Sequence, residues 1–492
     1  MVRRRVLVIG AGAAGLAAAS DLAHSGMDVT VIEKEACEGG KMRQVQVGAH
    51  LIDAGPTVFT MRWVFEGLFA RGGQDFACAL KMIRAPVLAR HSWPDGTWVD
   101  LHTDIMASAE AIRSFAGPQE AAGYLAFMTE CRQIYTTLKD SFMSAQKPSP
   151  IALLHRIGSL TALWRTRPFE TYWSRVSHHF KDPRLRQLFG RYATYVGSSP
   201  FRAPATLMLI AHVEQDGVWL LPKGMKSLAT AIRNLAEAGG AQFRFGEEVD
   251  AIRLRAGRVS AVRLKSGEEL EADAIVFNGD VSALGSGLFE KNDKPPIRTV
   301  PARQRSLSAV TWCLRARTTG WPLAYHNVLF GDDYADEFDA VFRRREITPF
   351  PTVYICAQDR LQETKPEGEE RLLLLINAPA DGDIHSAAIQ DRLFASDKLH
   401  DQLKRHGLIL EADPDQAVIT GPQGFNSLFP ATGGALYGLA NHGPMASFAR
   451  PGSRTSIQGL YLAGGSAHPG PGVPMATLSG RLAAARLLED LE

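Results

Sequence analysis

The chain has 492 residues, 54 Lys+Arg against 52 Asp+Glu for a formal charge of +2, and 45% hydrophobic residues. So balanced a charge gives no global reason for a nucleic-acid partner, and the length calls for two intimately packed domains rather than one core. The five cysteines are odd in number and contain no CxxC pair, which fits a reduced thiol set, and no apolar run reaches the roughly 18 residues that a membrane span needs.

The first predicted strand is RVLVI, residues 5–9, a continuous apolar run that stops at glycine. Gly10, Gly12 and Gly15 then give G-x-G-x-x-G at the opening of a helix that closes near Gly26. Each glycine has a mechanical use: Gly10 for the tight turn, Gly12 for backbone approach to a pyrophosphate, Gly15 for close packing of helix on strand. Ala13 and Ala14 begin the helix, whose positive N-terminal end suits phosphate charge. A second strand, DVTVIE, ends at Glu33, followed by Lys34. Glu33 is placed to accept hydrogen bonds from an adenosine ribose, and an acid there disfavours a 2′-phosphate, which points to FAD or NAD over NADP. The basic start followed by apolar and small residues also matches a cleavable signal, but cleavage would remove the glycine motif.

The next stretch, EKEACEGGKMR, carries Glu33 on to Gly39, Gly40, Lys41 and Arg43, a glycine turn with two basic residues expected to face the same phosphate region. It resembles the flavoprotein superfamily of amine oxidases, Rab GDP-dissociation inhibitors and carotenoid desaturases, in which an acid, two glycines and two basic residues follow the first βαβ unit. No second G-x-G-x-x-G occurs in mid-chain, so the expectation is one FAD and no nicotinamide site. A solvated charged turn is the competing reading of Lys41 and Arg43.

HLIDAGPTVFT, residues 50–60, reads as a strand leading into a Gly55-Pro56 turn. The resemblance sets Pro56 and Thr57 near the isoalloxazine. Residues 86–215 are expected to be mostly helical, with Gly117-Pro118, Pro148 and Pro150 as punctuation. A helix over MKSLATAIRNLAEAGG then precedes strands around Phe243, 249–254, 259–264 and ADAIVFNGD, and further strands are expected at SAVTWCLRA and RLLLLINAP. By resemblance Val249 contacts adenine through its backbone, whereas the residue alone reads equally as core strand.

LFGRYATYVGSSPFRAPATLMLIAHVEQDGVWLLPKGM, residues 188–225, and FARPGSRTSIQGLYLAGGSAHPGPGVPMATLSGRLAA near the end are similar to the bacterial phytoene desaturase family of carotenoid desaturases, across essentially the whole chain. Within it, FNSLFPATGGALYG, residues 425–438, is most similar to the branch acting on 1-hydroxylated or 1-methoxylated acyclic carotenoids. The family implies an α/β (α+β) fold, a Rossmann-like FAD-binding domain of the amine oxidase and GDP-dissociation-inhibitor type interleaved with a substrate domain of mixed sheet and helices. The expected FAD-binding pieces are 1–85, 216–299 and 431–492, and the substrate domain is 86–215 with 300–430. The final strand is expected to bring Gly464 and Gly465 to the pyrophosphate and ribityl chain, with Val473, Pro474 and Met475 opening the last helix toward the pyrimidine edge of the flavin. The superfamily commonly has an Asp after this strand; here Gly465 and Ser466 stand in its place.

The resemblance implies FAD-dependent desaturation of an acyclic carotenoid, most closely 3,4-dehydrogenation of a 1-hydroxy- or 1-methoxycarotenoid. A multi-step phytoene desaturase is the alternative inside the family; a polyprenoid or retinoid reductase, an amine oxidase and a non-enzymatic lipid chaperone are the alternatives outside it. No Ser/His/Asp order, metal-ligand spacing or close carboxylate pair imposes another chemistry. Glu214, His212 and Asp216 are polar candidates for substrate-end recognition or proton handling, His468 is a candidate for touching flavin or substrate, and surface, capping or loop roles compete for all four. Residues 151–202 hold nine Lys/Arg against two acids, together with nine aromatics, a composition suited to a membrane surface. The expected location is therefore cytoplasmic, at the inner face of a membrane, with oxygen or a quinone as electron acceptor.

Overall fold

The computed structural model describes residues 4–289, 296–361, 364–384, 397–413 and 416–491. Five strands form a parallel sheet: β1 (Arg5–Ile9), β2 (Asp28–Glu33), β3 (Gln242–Phe245), β4 (Ala274–Phe277) and β5 (Leu460–Leu462), in the order β5-β4-β1-β2-β3. Because side chains alternate along a strand, each strand supplies both faces. Val6, Val8, Val29, Val31 and Val276 pack into one core, while Leu7, Ile9, Ile32, Ile275 and Phe277 pack into another.

Helix α1 (Ala13–His24) lies in the first core between α2 (Lys226–Ala238) and α3 (Val473–Leu491). The approach of α1 to α3 is so close that a Cβ at Gly480 would stand 2.0 Å from the Ala14 carbonyl oxygen. The second face is covered by an antiparallel sheet of Val249–Arg255, Arg258–Leu264 and Glu269–Glu271. This three-layer arrangement answers the apolar, β-branched character of β1 and β2, which are buried on both sides.

A separate eight-stranded sheet runs Leu408–Ala412, Ser308–Gly320, Glu370–Ala378, Val353–Ala357, His326–Leu329, Val87–Ser92 and Trp98–His102, with Val418–Thr420 also paired to Ser308–Gly320. Two of its strands correct the sequence expectation, since Val87–Ser92 and Trp98–His102 fall at the start of the stretch read as mostly helical. They form a hairpin through WPDGT, closed by Trp93 N–H to the Thr97 carbonyl at 3.0 Å. Helices follow as expected: Ile105–Ala116 stops at Gly117, whose φ of +97° suits glycine, and Pro118 opens Pro118–Leu138. The helices and this sheet share the largest core.

Residues 151–202 divide in two. Ile151, Leu160, Trp164 and Phe169 are 82%, 71%, 64% and 70% exposed, whereas Tyr172, Phe180 and Phe189 are fully buried. The cations divide likewise: Arg167 and Arg175 pair with Glu130, Arg184 pairs with Asp182, and Arg191 is buried against Glu214. The exposed large apolar side chains expected across 151–202 are thus confined to its first twenty residues, while the aromatics Tyr172, Phe180 and Phe189 that follow belong to the core. Among the described residues, no helix is long and apolar enough to cross a membrane, and no group of three or more His, Cys, Asp or Glu is placed to hold a metal ion.

Candidate functional site

A single cavity of ≈ 1780 Å³ begins at the glycine loop after β1 and extends between the helices and the eight-stranded sheet. That volume exceeds the roughly 300–1,000 Å³ of a site for one drug-sized ligand, so it has room for a dinucleotide together with a second long molecule.

At the dinucleotide end, Gly10 has φ +98° and a Cβ there would meet the Asn278 carbonyl oxygen at 3.0 Å. Gly15 is tighter still, since its Cβ would lie 2.1 Å from the Gly10 carbonyl oxygen, so only glycine lets α1 start this close to β1. Gly15 does not itself line the cavity, whereas Gly10, Gly12, Ala13 and Ala14 do. The N-cap Gly12 brings no side-chain cap to α1, and Asn278 Oδ1 takes the N–H of Gly15, one of the first-turn donors. The positive end of the helix lies on the cavity wall at Ala13 and Ala14, as a pyrophosphate site requires.

Glu33 is buried, and its carboxylate accepts from the backbone N–H of Ala11 at 2.7 Å and of Glu35 at 3.0 Å. These bonds fix the carboxylate at the tip of β2, on the cavity wall. Gly39 and Gly40 return to the loop: Gly39 N–H donates to the Ala11 carbonyl at 2.8 Å, and a Cβ at Gly40 would touch the Gly12 Cα at 3.1 Å.

The basic residues of that turn depart from expectation. Lys41 Nζ donates to the Leu436 carbonyl and sits 5.1 Å from the Phe429 ring centroid, and Arg43 donates to Thr420 Oγ1 at 3.0 Å. Lys34 Nζ likewise reaches the Leu428 carbonyl at 2.9 Å. All three line the cavity, but their cationic heads tie the first βαβ unit to residues 420–436 rather than facing the glycine loop. Burial pushes the Lys41 ammonium down, the nearby Arg450 charge adds to this, and Asp280 opposes it.

The other predicted positions, Pro56, Thr57, Val249, Gly464, Gly465, Val473, Pro474 and Met475, all line the same cavity. Gly464 N–H donates to Ser479 Oγ on α3 at 3.1 Å, locking the end of β5 to that helix. Ser466 Oγ accepts from Val281 N–H at 3.0 Å, which leaves its own hydroxyl hydrogen for another acceptor.

Two site residues were not singled out from sequence. Asn278, at the end of β4, accepts from Gly15 N–H at 2.9 Å and donates to the Ala463 carbonyl at 3.0 Å, so one amide fastens α1 to β5. Arg450 is fully buried and donates to the carbonyls of Gly465, Tyr437 and Leu439 at 2.9, 3.0 and 2.6 Å; burial lowers it to about 10. It braces the loop after β5 from behind, a role visible only when the three carbonyls converge.

The catalytic candidates fare differently. His468 is buried and donates from Nε2 to the carbonyls of Phe142 and Ala145 at 3.1 and 3.0 Å; burial lowers it to about 4, and it does not line the cavity. His212 packs on the Tyr135 ring at 4.9 Å and is also off the cavity wall. Asp216 ends its helix and offers its carbonyl to Arg84. None of these three residues lines the cavity. Glu214 is buried and accepts from Tyr192 OH at 2.6 Å, from Tyr195 OH, and from Arg191 at 3.4 Å. It is off the wall itself, while Arg191 and Tyr195 are on it.

Away from the glycine loop the cavity is walled by apolar side chains of the helices and by Val328, Leu373 and Leu375 of the sheet, and its lining includes Leu160, Trp164 and Phe169, three of the exposed residues of the 151–169 stretch.

The profile of flavin containing amine oxidoreductases matches residues 13–488. A hydroxyneurosporene desaturase of Rubrivivax gelatinosus is 49% identical over 99% of this chain and 94% of its own, and one of Cereibacter sphaeroides is 41% identical over 99% and 98%. Among solved structures, an oxidoreductase from Methanosarcina mazei superposes with a TM-score of 0.61 over 99% of this chain and all of its own; at 15% identity this speaks for the fold alone. The glycine loop, the open helix end and the fixed Glu33 carboxylate fit FAD, the cofactor of this oxidoreductase family. The chain belongs to the flavin containing amine oxidoreductases and, within them, to the carotenoid desaturases.

Proposed function

We propose that this protein dehydrogenates an acyclic carotenoid, introducing the 3,4 double bond into a 1-hydroxylated or 1-methoxylated chain. The observation that carries the reading is the single cavity of ≈ 1780 Å³ that joins a dinucleotide loop to a compartment walled largely by apolar side chains. The described residues within 1–85, 216–299 and 431–492 serve as the cofactor half, and those within 86–215 and 300–430 as the substrate half.

FAD, when bound, supplies the two-electron oxidant, taking a hydride from one carbon while the neighbouring carbon loses a proton. The chain's own contribution is to hold the polyene in a dry tunnel and to keep the reacting bond in register. Conjugation spreads the positive charge that develops on the polyene, so no strong base is required of the protein. Gly10, Gly12, Ala13, Ala14, Glu33 and the Gly464–Gly465 turn hold the cofactor, with Val249 at the adenine end and Pro56, Thr57 and Val473–Met475 at the ring end.

The four exposed apolar residues between Ile151 and Phe169 support docking on a membrane surface. Ile151 and Leu160 lie on two short helices capped by Ser149 and Ser159, and Leu160, Trp164 and Phe169 line the tunnel mouth, so a lipid-dissolved substrate enters without crossing water. The inner face of a membrane is then the working location, and oxygen or a membrane quinone the electron acceptor.

The test is product analysis by chromatography and absorbance, with the FAD-loaded protein in liposomes under air. A red-shifted product from a 1-hydroxylated acyclic carotenoid and none from phytoene is expected. Conversion of phytoene would move the protein to the multi-step branch, and saturation of a double bond would make it a reductase.

A further inference from the structure

The tunnel is apolar, yet one part of its wall carries polar groups that are already fully committed to each other. Tyr195 OH donates to Glu214, whose second oxygen accepts from Tyr192 at 2.6 Å and from Arg191 at 3.4 Å. Arg191 also donates from Nη1 to the Tyr195 oxygen at 3.0 Å and from Nε to His91 Nε2 at 3.2 Å. Glu214 and Arg191 are 2% and 6% exposed. An ion pair buried so deeply is costly to assemble and gives little net stability over apolar packing. The cluster therefore calls for a use.

The hydrogen-bond inventory of Tyr195 defines that use. A phenol has one hydrogen and two lone pairs. Its hydrogen is held by the carboxylate and one lone pair by Arg191, which leaves a single lone pair on a residue that lines the cavity. With its hydrogen on Glu214, Tyr195 presents an acceptor and no donor. Nearby on the same wall stand Thr57 and Tyr354, bonded to each other at 2.6 Å, with Tyr354 bonded in turn to buried His326 at 2.7 Å. Thr57 adjoins Pro56, at the end of the tunnel that meets the cofactor loop.

We propose that Tyr195, positioned by Glu214 and Arg191, accepts a hydrogen bond from a free hydroxyl at the leading end of the polyene, and so selects alcohols over both methyl ethers and hydrocarbons. This rests on the function proposed above. It sharpens that reading, because a methyl ether has no hydrogen to give and would leave the Tyr195 lone pair facing a methyl group. Tyr195 is the contact; Glu214 and Arg191, which bond its oxygen directly, are the positioning residues.

The test is equilibrium binding, read as quenching of tryptophan fluorescence when the FAD-loaded protein is titrated with a 1-hydroxylated acyclic polyene, its O-methyl ether or its deoxy analogue. The wild-type protein is expected to bind the alcohol about 10- to 100-fold more tightly than either analogue. Tyr195→Phe is expected to bring the three within about twofold of one another, a factor worth well under one hydrogen bond. Tyr192→Phe removes an equal bond to Glu214 from off the cavity wall and is expected to keep the wild-type preference. Retention of the preference in Tyr195→Phe overturns the assignment, as does equal loss in Tyr192→Phe. Absence of any preference in the wild-type protein overturns it without recourse to a variant. A wild-type protein that shows the preference but forms no new double bond from the alcohol would overturn the proposed function and leave this binding site standing.

Discussion

Asn278→Ala is the most informative single change at the cofactor site. The amide accepts from Gly15 N–H at 2.9 Å and donates to the Ala463 carbonyl at 3.0 Å, so truncation orphans a donor in the glycine loop and an acceptor at the end of β5. An unmet buried donor costs about 1–3 kcal/mol. Thermal unfolding is a poor readout, since at roughly 2 cal/mol/K per residue a chain of this length moves by only about 1 °C per kcal/mol. FAD affinity is the sensitive one: α1 and β5 flank the cofactor, and loosening their link by about 1–3 kcal/mol raises the FAD dissociation constant about 5- to 150-fold. Asn278→Asp is expected not to rescue, because it keeps the acceptor for Gly15 but turns a second anionic oxygen toward the Ala463 carbonyl and adds negative charge where α1 receives phosphate. The assay is FAD titration of the apoprotein by flavin fluorescence. A wild-type dissociation constant in Asn278→Ala would refute the claim that this amide organises the site.

Gly15→Ala is expected to give protein without flavin, since its Cβ would meet the Gly10 oxygen at 2.1 Å, and absorbance of the purified protein checks it. Trp164→Ser and Phe169→Ser should each weaken liposome binding about tenfold or more, from the roughly 1.5–3 kcal/mol of burying such a side chain, as measured by vesicle flotation. Burial lowers His326 and His442 to about 3 and His406 and His468 to about 4, from an ordinary value of 6.5. The unfolded chain then takes up protons that the folded one refuses, so stability is expected to fall as pH drops from 6.5 toward 4, checked by urea midpoints across that range. Glu130 adds to the same acid loss: burial pushes it up but bonds from His179, Arg175 and Arg167 hold it near 2, so its contribution is present above about 4.5 and lost as pH falls toward 2. Glu130→Gln should remove that acid-induced loosening of the 167–179 segment, read by limited proteolysis.

Much of the cofactor half was legible because its constraints are local. A continuous apolar strand, three glycines at fixed spacing and an acid at the next strand end each leave a mark in a short window, and β1, α1 and β2 lie where those marks put them. The hairpin of Val87–Ser92 and Trp98–His102 was missed because VLARHS has neither alternation nor a long apolar run, although Pro94-Asp95-Gly96 is a turn signal in plain sight. Lys41 and Arg43 were misdirected because a cation beside a phosphate motif has an obvious local reading, and their partners at Leu436 and Thr420 lie nearly four hundred residues away. Distance in sequence hid Asn278 as well, since its partners Gly15 and Ala463 are 263 and 185 residues away. For residues 151–202, composition could not separate aromatics that face out from those that build the core; the fold does so by burying Tyr172, Phe180 and Phe189 and leaving Trp164 and Phe169 exposed.

The most direct test of the central claim is anaerobic mixing of the FAD-loaded protein with one equivalent of a 1-hydroxylated acyclic carotenoid in liposomes, following flavin absorbance and then product mass. Bleaching of the flavin with a stoichiometric product two hydrogens lighter is the result this account expects. A flavin that stays oxidised while the carotenoid is bound and unchanged would contradict it.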